Sequence, residues 1–292
     1  MKEIVVVSGK GGTGKTSITA ALAVLAGNSA IVSDCDVDAA NMHLLLQPDF
    51  ASKAEFYSGV LAEINQDTCI QCGICANTCR FNAIPFVNNQ YKIDPLACEG
   101  CGYCQKVCPQ KAITLHERKS GQVFISTTKV GSTMVHAKLD IGAENSGKLV
   151  AKVKSNSQQL AKEQNKEFII VDGSPGIGCP VVSSLSGANY VVLVTEPTVS
   201  GLHDLERIYS VVKRFRLKAG CIINKHDINP EKTKEIIQFL DAEKITHLAN
   251  IPYETQFVDA MTNAKTIVEV ESQAKNIIKE TWEKIKHDIS KN

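Results

Sequence analysis

Three groups of residues in this chain could do chemistry. The first is Gly9-x-x-x-x-Gly14-Lys15-Thr16. Gly9, Gly11, Gly12 and Gly14 free the backbone to curl its N–H groups around phosphate oxygens, Lys15 supplies a point charge for the outer phosphates, and the Thr16 hydroxyl can hold Mg²⁺. Thr13 and Ser17 belong to the same nucleotide-binding stretch. The second group is acidic: Asp34 and Asp36 in Asp34-Cys35-Asp36-Val37-Asp38, and Asp172 in Asp172-Gly173-Ser174-Pro175-Gly176. The third is two runs of cysteine, Cys69-x-x-Cys72-x-x-Cys75-x-x-x-Cys79 and Cys98-x-x-Cys101-x-x-Cys104-x-x-x-Cys108. Thiolates at such spacing hold soft metals.

Strands and helices must carry these groups to one place. Four consecutive apolar residues, Ile4 to Val7, predict a strand buried on both faces that runs straight into the glycine loop. The helix that follows, Gly14 to about Leu25, aims its positive end at the same anion. Ala30 to Ser33 predicts a second buried strand; its acidic end lies beside the loop, where open α/β sheets keep their ligands. Ala39 to Leu46 predicts a helix that stops near Pro48. Beyond Gly121, strands are predicted at Val123 to Ser126, Met134 to Ile141 and Phe168 to Val171, with a helix over Lys148 to Lys162 capped at Asn145 or Ser146. Alternation then continues through Tyr190 to Thr195, Leu202 to Arg214, Gly220 to Ile223, Glu231 to Leu240 and Thr246 to Ile251, with a terminal helix from about Glu269. This pattern predicts an α/β fold, a parallel sheet with helices on both faces. An aspartate closing an apolar strand, then a glycine, is the Walker B and switch II arrangement: Asp172 for hydrated magnesium, Gly173 for the γ-phosphate.

Lys10 makes the loop KGGTGKT, which resembles the deviant Walker motif of the MinD, Mrp and nitrogenase iron-protein superfamily. The resemblance covers nearly the whole length, including Thr195-Glu196-Pro197 with Ser200 and Ile251-Pro252-Tyr253 at strand ends. It implies ATP hydrolysis in a homodimer, or in a heterodimer with a similar ATPase subunit, with Lys10 reaching the partner's nucleotide. It also implies that Asp36 orients the attacking water, that Asp34 lies near the magnesium, and that Asn224 and Pro252 lie in the nucleotide-binding set. Asn224-Lys225-x-Asp227 is also how GTPases read guanine. ATP and GTP both stay open on that string, and Lys10 with the Asp34 to Asp38 segment weighs for ATP.

The cysteine runs form an internal repeat: Cys98, Ala112 and Ile113 sit 29 residues after Cys69, Ala83 and Ile84. This is the spacing of bacterial-type two-cluster ferredoxins. Three thiolates in a tight loop take three corners of one cubane and the fourth cysteine points to the other. Cys69, Cys72, Cys75 and Cys108 are thus assigned to one 4Fe-4S cluster, and Cys98, Cys101, Cys104 and Cys79 to the other. Glycines at 73, 100 and 102 let backbone N–H groups approach the sulfurs. Arg80 stands where proline usually follows the fourth cysteine, whereas Pro109 keeps it. Zinc is the competing reading for paired C-x-x-C, but two interlocking sets of four favour iron and sulfur. A segment of about 55 residues buries too little apolar surface to fold dependably alone, so the clusters should staple it. Residues 61–118 are therefore expected to be a small α+β ferredoxin-like insertion within an ATPase domain made of 1–60 and 119–292. Cys35, Cys179 and Cys221 lie outside the repeat; Cys179 stands seven residues after Asp172, where the nitrogenase iron protein has a cluster cysteine.

The charges nearly cancel, 32 basic against 31 acidic, which argues against a general nucleic-acid or membrane-surface binder. Glu3 stands where a signal peptide would start its apolar region, and no apolar run approaches the ~20 residues of a membrane span. A cytoplasmic protein is expected, its 11 cysteines thiols or metal ligands. In the terminal helix Ala274, Ile277, Ile278, Trp282, Ile285 and Ile289 share one face. That stripe suits docking on the sheet, or a membrane surface. The sequence thus reads as an ATPase coupling dimer switching to electron transfer through two clusters, with a redox partner it does not identify. The alternatives are an iron–sulfur cluster carrier, or a MinD-like positioning ATPase with structural clusters.

Overall fold

The β-branched run Ile4 to Val7 that leads into the glycine loop has no polar alternation, which suits a strand covered on both faces. The computed structural model describes residues 1–143 and 146–291. In chain order its elements begin β1 (Lys2–Val7), α1 (Lys15–Ala26), β2 (Ala30–Asp34), α2 (Met42–Leu46) and β3 (Ser52–Ile64). Then come α3 (Ile74–Thr78), β4 (Phe86–Val87), β5 (Gln90–Tyr91), α4 (Tyr103–Val107), β6 (Ile113–Thr127) and β7 (Thr133–Leu139). The chain continues with α5 (Ser146–Glu163), β8 (Phe168–Asp172), α6 (Cys179–Leu185), β9 (Tyr190–Thr195) and α7 (Val199–Arg214). It closes with β10 (Ala219–Asn224), α8 (Pro230–Glu243), β11 (Thr246–Ile251), α9 (Gln256–Thr262) and α10 (Gln273–Ser290).

Two compact units result. One comprises Met1–Ala54, Val123–Lys138 and Ser146–Asn292; the other comprises Glu55–Gln122 and Leu139–Asn145. The sheet order is β11-β10-β9-β1-β8-β2-β7-β6-β3. β1, β2, β7, β8, β9, β10 and β11 pair in parallel, and β1 is central, hydrogen-bonded to β8 on one side and β9 on the other. Register does the positioning: Val6 lies beside Asp172, and Asp34 lies beside Asp172 on the other flank. The acidic ends of β2 and β8 therefore meet at the carboxyl edge of the sheet, next to the loop that leaves β1. A core of Ile4, Val6, Ile18, Leu22, Ile170, Tyr190 and Val192 lies against the sheet.

The apolar stripe of α10 belongs to that same core: Ala274, Ile278, Trp282, Ile285 and Ile289 are all buried in it, and Ile277 packs against it. The stripe docks on the fold. The helix begins later than the sequence suggests, because a 3₁₀ turn at Ile267–Glu269 with a Thr266/Glu269 capping box precedes it, and Ser272 then accepts the Lys275 N–H as its cap. Of the two candidate caps of α5, Ser146 opens the helix and Asn145 lies outside the described residues. Among the described residues no helix is long and apolar enough to cross a membrane.

The cysteine-bearing unit is wider than the 61–118 segment marked out by the repeat. The strands that bring the chain in and out, β3 and β6, are long, at 13 and 15 residues. The short strand expected at Val123 to Ser126 is only the end of β6. Ala62, Ile64, Ala83, Ile84 and Ile113 form a small core with Cys75 and Cys98. The repeat shows in it directly, since Ala83 and Ile84 are buried like their counterparts Ala112 and Ile113. The β4 and β5 hairpin turns through Asn88 and Asn89, both at positive φ.

Candidate functional site

β1 ends on the glycine loop because the backbone there must pass where side chains cannot. A Cβ on Gly9 would lie 2.2 Å from the Asp204 carbonyl oxygen. Gly14 has φ +91, and a Cβ there would lie 2.4 Å from Asn224 Nδ2. Gly11 and Gly12 differ from these two: both are exposed at the tip of the loop, and a Cβ on either would meet nothing within 4 Å. Crowding within the chain therefore does not call for glycine at Gly11 or Gly12, and neither joins the buried cluster that the rest of the motif forms. Gly12 is held instead at φ +80, with its carbonyl accepting from Lys225 Nζ at 3.3 Å, and Gly11 leaves its side of the loop open to an incoming group. Thr13 is buried and Ser17 half-buried on either side of Lys15.

Lys15 itself lies at the first turn of α1, buried, with its ammonium between two carboxylates: Asp172 Oδ1 at 2.8 Å and Asp36 Oδ2 at 3.4 Å. Thr16 Oγ1 donates to Asp172 Oδ2 at 2.7 Å, and Thr19 Oγ1 donates to Asp172 Oδ1 at 2.9 Å. Gly173 N–H donates to the Val6 carbonyl, holding the strand after Asp172 against β1. The structure thus brings together Lys15, Thr16, Asp34, Asp36 and Asp172. Thr19 escaped the sequence reading; its signal was its position four residues after Lys15 on the same helix face.

The charges of this cluster govern one another. Burial alone would push the Lys15 ammonium down, but Asp172, then Asp36 and Asp34, outweigh it and hold the group above its ordinary value. Burial pushes Asp34 up to about 8, with Asp172 adding to it and Lys15 opposing. Asp36 is raised for the same first reason, with Lys15 opposing. Asp34 Oδ1 accepts the Asp36 N–H at 3.1 Å, while its buried Oδ2 has no hydrogen-bond partner. An orphan carboxylate oxygen, a hydroxyl and a second carboxylate are the hard oxygen donors that Mg²⁺ takes. The residues fit that ion.

Lys10 is turned onto its own chain. Its ammonium contacts Glu196 Oε1 at 2.8 Å, Ser200 Oγ at 2.8 Å and Thr198 Oγ1 at 3.3 Å. Glu196 Oε2 takes Lys225 at 3.0 Å, so one carboxylate at the end of β9 holds two lysines. Burial would raise Glu196, and the two lysines outweigh it and bring it below the usual carboxylate range. The sequence marked Glu196 only as a strand end; the clamp depends on β9 lying next to β1, which no local pattern gives. Asn224 donates through Nδ2 to the Thr13 carbonyl at 2.8 Å and accepts the Lys225 N–H, so it braces the loop. Asp227 Oδ1 accepts the Tyr253 N–H at 2.8 Å, directly after Pro252.

In the second unit the eight repeat cysteines, all free thiols, divide between two cavities. One, of about 20 Å³, is lined by Cys69, Cys72, Cys75 and Cys108. The other, of about 520 Å³, is lined by Cys79, Cys98, Cys101 and Cys104. Each cavity takes three thiols from one run and the last cysteine of the other. Gly73, Gly100 and Gly102 all have positive φ, and the Ala112 N–H donates to Cys108 Sγ at 3.3 Å. Among the described residues no three His, Cys, Asp or Glu side chains converge on a point as a single metal ion requires. Four thiolates, three from a tight loop and one from the other run, are the donors a four-iron cluster takes, and each set supplies them. Cys35 and Cys221 are buried within the fold, and Cys179 is exposed at the start of α6.

With this geometry established, relatives are informative. The sequence profile of the CobQ/CobB/MinD/ParA nucleotide binding domain matches residues 4–267. The uncharacterized protein MJ0578 of Methanocaldococcus jannaschii is 33% identical over 289 residues, covering 98% of this chain and 97% of the relative. The septum site-determining protein MinD of Pyrococcus horikoshii, solved with Mg-ADP, superposes with a TM-score of 0.58 at 20% identity over 97% of this chain and 95% of that one. A shorter stretch of 56 residues, 19% of this chain and 65% of the relative, is 36% identical to the pyruvate synthase subunit PorD of Methanothermobacter marburgensis.

Proposed function

Because this chain belongs to the CobQ/CobB/MinD/ParA family of nucleotide-binding domains, we propose that it is an ATP-driven switch of the MinD kind. It binds ATP with Mg²⁺, pairs with a second copy or a similar subunit, hydrolyses the nucleotide and separates. The observation that carries this reading is the Lys15 ammonium set between Asp172 and Asp36, with Thr16 on the same aspartate, at the carboxyl edge of a parallel sheet. Phosphates arriving in the loop, on the open side at Gly11 and Gly12, offer Lys15 a stronger anion than either carboxylate. Asp172, Asp34 and Thr16 would hold Mg²⁺, which would supply positive charge against the outer phosphates. Asp36 lies within reach of the same region and orients water toward the γ-phosphorus. The bond from water oxygen to that phosphorus forms as the bond to the β,γ-bridging oxygen breaks; ADP leaves with the electron pair and the water protons pass to phosphate and solvent. Lys10 leaves Glu196 to reach the partner's nucleotide. ATP is favoured over GTP because Asp227, which would read guanine, is engaged through Oδ1 by Tyr253.

The relatives support a switch or positioning ATPase more than an electron-transfer enzyme. A second reading, that the switch also carries electrons, is favoured by one specific observation: the partition of eight thiols into two crossed sets of four, within a unit proposed to be an insertion at about 61–118. Bound there, two 4Fe-4S clusters would each accept and pass on one electron. The chain's own part is to hold the thiolates and to shield them; in sequence, Asp36 leads through α2 into β3 and the first cysteine run. A cluster carrier of the Mrp type is less suited, since Cys221 is buried and Cys179 has no C-x-x-C partner.

Light scattering and phosphate release on anaerobically prepared protein test the switch. A dimer with ATP and a monomer with ADP are expected, with Asp36→Asn dimeric but slowed by about 10²-fold or more in hydrolysis. Nucleotide-independent mass together with no phosphate release would overturn it. Iron and sulfide counting on the same sample tests the clusters.

A further inference from the structure

The internal repeat makes each cysteine site a control for the other. Residues 29 apart occupy equivalent places, and two of the places where the linings differ bring in charge. Next to Cys108 and Cys69, the smaller cavity is lined by Pro109 and Ile70. Their equivalents next to Cys79 and Cys98 in the larger cavity are Arg80 and Glu99. No charged side chain lines the first site; two of opposite sign line the second, and its cavity is about 520 Å³ against about 20 Å³. Adding an electron makes a cluster more negative, so a roomier site with charged side chains in its lining lowers the cost of reduction and a tighter uncharged one raises it. The Ala112 N–H on Cys108 Sγ works the other way at the first site, but it is a single hydrogen bond set against the whole lining.

Resting on the reading of these sites as cluster sites, we infer that the two are unequal: the set Cys79, Cys98, Cys101 and Cys104 takes the electron first, and Arg80 and Glu99 tune it in opposite directions. Arg80 stabilises the added negative charge and Glu99 opposes it. Both side chains are exposed, which keeps either effect modest through screening.

The test is an EPR-monitored redox titration of the full chain, prepared anaerobically, with iron counted on the same sample. Two separated midpoints are expected at about eight irons per chain. Arg80→Gln should lower the upper midpoint by about threefold in the reduced-to-oxidised ratio, near 30 mV on a scale of 59 mV per tenfold. Glu99→Gln should raise that same midpoint, and the lower one should stay in place under both. A purely structural role for these residues would not give shifts of opposite sign on one cluster. A single shared midpoint, shifts of the same sign, or movement of the lower midpoint would overturn the inference and leave the cluster reading intact. Absence of iron would overturn both. Should Arg80→Gln load incompletely, Glu99→Gln alone decides: an upward shift supports the inference and no shift overturns it.

Discussion

Glu196→Gln is the substitution that most directly tests how Lys10 is held. The carboxylate at the end of β9 pairs with Lys10 at 2.8 Å and with Lys225 at 3.0 Å, and its side chain is only 16% exposed. Partly exposed ion pairs contribute up to about 1 kcal/mol each, so two on one carboxylate amount to about 1–2 kcal/mol. Lys10 must give up its share to reach a partner's nucleotide, and glutamine keeps the shape while removing the charge. Relieving Lys10's share, up to about 1 kcal/mol, shifts an equilibrium by up to about 5-fold. At subsaturating ATP the dimer dissociation constant of Glu196→Gln, measured by light scattering or sedimentation, should therefore fall by up to that factor. The double-mutant cycle isolates the cause: in a Lys10→Gln background Glu196→Gln should change nothing. A gain that persists without Lys10, or a dimer no tighter than the parent's, would refute the clamp.

Gly9→Ala places a methyl 2.2 Å from the Asp204 carbonyl, which must displace α7 or the loop; a loss of about 1–3 kcal/mol, a few degrees in Tm, and weaker nucleotide binding should show in thermal melts with and without ATP. Trp282, on the buried face of α10, is 5% exposed, so Trp282→Ala should cost about 3–5 kcal/mol by denaturant unfolding. A loss under 1 kcal/mol would mean the helix is not docked in solution. Burial holds His136 down at about 4, with His43 adding to it, while it stacks on Phe124 and shares a hydrogen bond with Ser126. Because the unfolded chain binds this proton near pH 6.5 and the folded chain only near 4, stability is full above pH 6.5. It is lost as pH falls toward 4, by up to about 3 kcal/mol. His136→Phe should flatten that part of the stability profile, read by urea unfolding at pH 7 and pH 4.5.

Much of this molecule is legible locally. The buried run Ile4 to Val7, the glycine spacing and the helix behind it are consecutive in the chain, so a local pattern is enough to mark the loop they make. What the spacing did not tell apart is the duty of each glycine: Gly9 and Gly14 are crowded by α7 and β10, whereas Gly11 and Gly12 stand in open space. The cysteine repeat is its own key, since three thiols of each set lie within seven residues of one another and the fourth follows from symmetry. Thr19 was missed although it lies one helical turn from Lys15, because threonine on a helix is ordinary until a carboxylate meets it. Glu196 was marked only as a strand end, and its hold on two lysines was missed for a different reason: they come from the loop after β1 and the end of β10, and only the order β10-β9-β1 makes them neighbours.

The sequence by itself determined the phosphate loop, the succession of strands and helices, and the crossed division of the thiols, because each rests on contacts between residues close in the chain or repeated at a fixed interval. Tertiary structure alone decided which carboxylates flank Lys15, that Lys10 rests on its own chain, and that α10 is spent on the core. Those outcomes depend on sheet order and register, and register is fixed by the sum of packing over the whole sheet, which no single stretch of residues contains.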